Sequence, residues 1–154
     1  RQPPRDPSEG IFNRQMVQQV LISALTMGVM AFTAFYLLYE VWGYTAFAAT
    51  NMVFLLMVML ENVHVFNCRS ETESAFRVPI SRNRFLLFGV LAAQGVHLLA
   101  MQIPLMQEVL RVEPVSLQEW GATLMAAVAL LAVMEVYKHF RRKKVKTIVC
   151  AGDE

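Results

Sequence analysis

Charge is what this sequence most lacks. Of its 154 residues 17% are charged and 56% hydrophobic, whereas a soluble domain carries roughly a quarter charged residues. Cysteine is nearly absent too. Cys68 and Cys150 are the only two, so no disulfide framework can be built, and their separation fits no metal-ligand spacing. No GxxxxGKS/T loop is present to cradle a phosphate, no GxSxG elbow and no HExxH zinc pair. The chain by itself is therefore expected to bind no ATP and to carry out no covalent chemistry.

What fills the sequence instead is long apolar runs. Crossing a hydrocarbon core of roughly 30 Å takes about 20 apolar residues in a helix. Four stretches meet that length, at about 17–38, 46–66, 85–106 and 120–138. The first and third carry no charge, the second only Glu61, and the fourth Glu135 near its end with Lys138 at its boundary. A soluble helical bundle would keep one charged face per helix, and these stretches have none. The fold expected is all-α: a four-helix transmembrane bundle within one membrane domain, 17–138. Small residues four apart, Ala24 with Gly28 and Ala122 with Ala126, are candidates for close helix contact.

The few charges set a direction. Three of the 14 Lys and Arg residues precede the first span, four lie between the second and third, and six lie at or after the end of the fourth. Only Arg111 falls elsewhere. Positive residues stay on the cytoplasmic side, so both termini and the 67–84 loop are expected there. Trp42, Tyr44 and Trp120 fall near the opposite boundaries, where amphipathic rings collect. The net charge of +2 thus reports sidedness, and no nucleic-acid partner is expected. The tail at 139–154, with "KHFRRKKVK" at its start, reads as a topology anchor that also binds anionic lipid. Residues 1–16 read as a linker and helix approach. Arg1 is not an initiator methionine, and "RQPPRDPSEG" has the character of an interior linker, so a piece of a longer protein is expected.

One charge stands out. Glu61 lies about five residues inside its span, roughly 7–8 Å into the apolar layer. A carboxylate at that depth is costly and often marks an ion or proton pathway. The residues alone leave a second reading open: a protonated, hydrogen-bonded carboxyl, or a group at the interface. His64 follows three residues later on the same helical face and reads as an interfacial polar residue, since hard cations prefer oxygen. Glu135 and Lys138, also three apart, read as a helix-end ion pair.

The stretches "RQPPRDPSEGIF", "LENVHVFNCRSETESAFRVPISRNRFLL", "MQIPLMQEVLRVEPVSLQEW" and "EVYKHFRR", in this order and spacing, resemble the C-terminal transmembrane domain of cation-transporting P-type ATPases, calcium pumps above all. The resemblance covers about residues 1–142 and implies that the four spans are the seventh to tenth of such a pump. Calcium pumps of the reticulum type have an eighth-span glutamate that gives oxygen to a calcium site, a few residues before an Asn and a Ser-Glu pair. Glu61, with Asn67, Ser70 and Glu71 after it, matches that pattern, so the resemblance implies Glu61 as one ligand of the transported cation in a set this chain does not complete. The other ligands of the family lie on its fourth, fifth and sixth spans. The phosphorylated aspartate, the nucleotide-binding domain and the actuator loop lie outside this chain as well. ATP and Mg2+ would act in those domains, with no cofactor held here. The expected partners are the remaining spans and cytoplasmic domains of the same pump, in a bacterial plasma membrane. The rival reading is an independent four-span scaffold without transport.

The charge asymmetry generates a test of orientation. In intact cells, a membrane-impermeant thiol reagent should leave Cys68 and Cys150 unmodified until the cells are permeabilised. Ready modification before lysis would reverse the topology.

Overall fold

The structure is a computed structural model that describes the backbone of residues 14–69 and 83–151 and the side chains of 16–69 and 83–140. The expected linker, Ser70, Glu71 and the side chains of Cys150 and the basic tail lie outside the described residues. Among those described, every regular element is helical: α1 (Arg14–Tyr36) continued by a π-helical turn (Leu37–Val41), α2 (Ala46–Asn67), α3 (Arg84–Ala100), α4 (Pro104–Leu110) and α5 (Leu117–Ala151).

Local chemistry explains where these helices start and stop. The first ends in a wide turn, with Trp42 N–H donating to Leu37 O at 2.9 Å. Gly43 then takes a positive φ of 69°, a conformation open to glycine at little cost. Thr45 caps α2 by accepting from Ala48 N–H at 3.2 Å, and Asn83 caps α3 by accepting from Leu86 N–H at 3.0 Å. At α5 the cap is reciprocal. Ser116 Oγ accepts from Glu119 N–H at 3.2 Å while the Glu119 carboxylate accepts from Ser116 N–H at 2.8 Å. That exchange satisfies donors that a helix start leaves orphaned.

The third expected span, 85–106, is bent: α3 stops at Ala100, and α4 leaves it at 96°. Pro104 is the cause: it has no N–H to donate and pushes the residue before it out of the helical region, and Ile103 is extended at φ −94°, ψ 117°. Gln107 Nε2 spans the break and donates to Met101 O at 2.7 Å. Among the described residues three helices are long and apolar enough to cross a membrane, and four spans result if the bent pair counts as one. The helix of the fourth expected span, α5, extends beyond 120–138 at both ends. It begins at Leu117 and runs unbroken to Ala151, since no proline or glycine interrupts 122–151 and Lys and Arg are good helix formers.

The core lies between α2 and α5. Leu55, Leu56, Met59 and Leu60 of α2 meet Ala127, Leu130 and Met134 of α5, with Met101 and Val112 closing one end. These positions recur at helical spacing, so each helix presents one continuous ridge to the other. α1 packs beside them through Ile22, Met27, Met30 and Ala34. α3 stands at the periphery and buries none of its residues. Of the small-residue pairs, Ala24, Gly28 and Ala122 are exposed, and a Cβ added at Gly28 would meet nothing within 4 Å; Ala126 alone packs against the core. In their place Thr123 and Ala127 line the buried side of α5.

Polar ties fix the end of the bundle near the α1–α2 turn. Buried Asn51 of α2 donates to Glu113 O at 3.0 Å and accepts from Glu113 N–H at 3.1 Å, holding the α4–α5 loop as a strand partner would. Tyr44 OH donates to Glu119 Oε1 at 3.5 Å. Asn51→Ala removes both amide bonds and should destabilise the fold by about 1–3 kcal/mol. The readout is a lowered thermal unfolding midpoint in detergent. Thr50→Val serves as the control, because that exposed hydroxyl only returns to its own helix at Ala46 O.

Candidate functional site

Glu61 sits on the outside of the bundle. α2 buries Ala49, Met52, Leu56, Met59 and Leu60 against its neighbours. Phe47, Thr50, Phe54 and Glu61 are exposed along the other side. These positions are three, four and seven apart, so they form one stripe. Glu61 is six residues from the last residue of α2, about 9 Å along the axis at 1.5 Å per residue. Among the described residues, no group of three or more His, Cys, Asp or Glu is placed to hold a metal ion. The carboxylate therefore faces away from this bundle, with no ligand set around it.

Beside it runs a polar seam to α3. Asn62 Nδ2 donates to Gln94 Oε1 at 3.0 Å, and the His97 ring lies 5.2 Å from the Phe54 ring, centroid to centroid. Gln94 Nε2 and His97 Nε2 are buried without a partner. This hydrogen bond and ring contact are how a helix without buried residues is tied to α2. Gln94 and His97 stand in an otherwise apolar run, and the pairing of α2 with α3 that gives them a role is not a sequence property.

A second polar group closes the far end of α2. Lys138 of α5 is 0% exposed, and its Nζ donates to Asn67 O at 2.9 Å. Its ammonium reaches into the bundle and across to α2. Asn67 is also 0% exposed, yet its side-chain amide has no partner. His64 is half-buried, and its Nε2 lies 3.3 Å from Cys68 Sγ. Of the residues matched to the pump pattern, Glu61 and Asn67 are thus on one helix but on different sides of it, one outward and one inward.

Comparison with known proteins adds a separate line. The profile of the family described as cation transporting ATPase, C-terminus, matches residues 1–140. The calcium-transporting ATPase of Bacillus subtilis (strain 168) is 29% identical over 117 residues, 76% of this chain and 13% of that protein. Calcium-transporting ATPase 1 of Schizosaccharomyces pombe is 28% identical over 142 residues, 92% of this chain and 16% of that protein. Calcium-transporting ATPase 1 of Bacillus cereus is 31% identical over 90 residues, 58% of this chain and 10% of that protein. The chain spans between 10 and 16% of the length of these curated relatives.

The site's chemistry can be read at Cys68. Although the residue is partly exposed, desolvation at the packed end of α2 pushes its thiol above the ordinary value, and the nearby Lys138 ammonium offsets part of that rise. The thiolate is the reactive form. In a Cys150→Ser background, alkylation of Cys68 should be slow at neutral pH and should accelerate at a higher pH than for a free thiol. Lys138→Met should move the rise further up. A rate already maximal at neutral pH would contradict this placement of Cys68 and Lys138.

Proposed function

Because the chain belongs to the family of cation-transporting ATPase C-termini, an integral membrane family, we propose that it is the C-terminal membrane domain of an ATP-driven calcium pump in a bacterial plasma membrane. In this role it braces the ion-gating spans of the same pump and contributes the Glu61 carboxylate to the ion path. ATP and Mg2+ act in the cytoplasmic domains, and the termini and the 67–84 loop face the cytoplasm. There the basic tail rests on anionic lipid.

One observation carries the reading. Glu61 points outward from the bundle that the described residues form. A carboxylate facing lipid at that depth is costly, and intramembrane acids face other helices or a water-filled path. An independent four-span scaffold would leave it facing lipid. A pump covers it with further spans, which bring the rest of the oxygen ligands that a hard divalent cation requires. The relatives named as calcium-transporting support calcium as the cargo. The exposed stripe of Phe47, Thr50 and Phe54 on the same side of α2 is the surface on which those spans would pack.

In the full-length pump, Glu61→Gln keeps the shape and removes the charge. The calcium concentration needed for half-maximal phosphorylation from ATP should rise by about tenfold or more, with folded yield unchanged. Glu108→Gln, on α4, should leave it in place. An unchanged calcium dependence in Glu61→Gln at normal yield would overturn the ligand assignment, and a loss of yield alone would make Glu61 a structural carboxyl.

A further inference from the structure

Lys138 lies two residues inside the end of its span, Leu117–Phe140. From there a lysine stem can carry its ammonium out to water. Lys138 does the opposite: the side chain is wholly buried and its Nζ donates to the main-chain carbonyl of Asn67. We propose that Lys138 is a positioning residue for the cation path, gripping the end of α2 so that Glu61 projects at a fixed depth and angle. The inference rests on the reading of Glu61 as a cation ligand.

Three observations support it. First, the acceptor is backbone. The last carbonyls of a helix have no intrahelical donor and carry the negative end of the helix dipole, so a cation there holds the helix itself and not a rotatable side chain. The Asn67 amide, buried and without a partner, takes no part.

Second, the contact between the two anchors of α2 is apolar and adaptable. Met59 on α2 and Met134 on α5 are among its buried residues, and methionine fits many packings. Such a seam resists separation well and sliding or rotation poorly. Register therefore depends on its polar ends, which are Asn51 on Glu113 and Lys138 on Asn67.

Third, the lever is short and rigid. Glu61 and Asn67 are six residues apart on one unbroken helix, which at 3.6 residues per turn sets them about 120° apart around the axis. Any rotation of α2 that frees the Asn67 carbonyl swings Glu61 through the same angle. A ligand that must meet a cation together with groups from other spans tolerates little of that, and supporting contacts of this kind typically contribute 10–100-fold to metal affinity (about that order).

The test uses the full-length pump and the calcium dependence of phosphorylation from ATP. Lys138→Met should raise the calcium midpoint by about tenfold, while maximal phosphorylation and folded yield stay normal. Lys138→Arg, which keeps the charge, should recover most of the shift. Combined with Glu61→Gln, Lys138→Met should add little, because two residues acting through one contact are not additive. An unchanged midpoint in Lys138→Met at normal yield overturns the inference, as does a double variant whose shift equals the two single shifts combined. If Lys138→Met does not accumulate, Lys138→Gln takes its place with the same expectation. If neither accumulates while Lys138→Arg has the native midpoint, Lys138 only stabilises the fold and the inference is overturned. A shift in Glu61→Gln without one in Lys138→Met removes this inference alone. No shift in Glu61→Gln removes the ligand reading and this inference with it.

Discussion

The seam between α2 and α5 is the contact on which the rest of the bundle hangs. Within a membrane, burying apolar surface does little to draw helices together, because lipid tails are as apolar as leucine. Close packing and polar ties must do that work. Here the packing is a ridge of Leu and Met side chains on α2 against Ala127, Leu130 and Met134. The ties stand at its two ends, an asparagine bonded to a loop backbone and a lysine bonded to a helix-terminal carbonyl. α1 leans on this pair, Met101 and Val112 on either side of α4 close it, and α3 is attached at its side.

That arrangement leaves two surfaces unfinished. One is the outward stripe of α2 that ends in Glu61; the other is α3, whose Phe85, Phe88, Leu91 and Val96 are all exposed. Single exposed apolar residues are unremarkable facing lipid. A carboxylate several ångströms inside the apolar layer is different, because lipid cannot solvate it. On the proposed function, this face is turned toward further helices of a larger pump, and a brace of that kind would need rigidity along the α2–α5 seam and could leave its other faces bare.

Helical class, membrane residence and the approximate spans are dictated by composition and run length alone. Seventeen per cent charge cannot cover a soluble bundle, and runs of about 20 apolar residues have few other uses. A proline such as Pro104 can end a helix, but only the folded chain turned that end into a 96° break. Glu61 was legible because a charge in an apolar run is anomalous whatever the fold. Lys138 was not, because a lysine at a helix end beside other basic residues has the same local signature whether it reaches water or turns inward. Which way it turns depends on a carbonyl 71 positions earlier in the chain. The same holds for Asn51, Asn62 and Gln94, whose partners lie on other elements, and for the small-residue pairs, of which only Ala126 packs against the core. Periodicity and local charge belong to the chain itself and can be read along it. The direction in which each face turns, and the acceptor each buried donor finds, arise only when distant helices pack, and tertiary structure alone decided them.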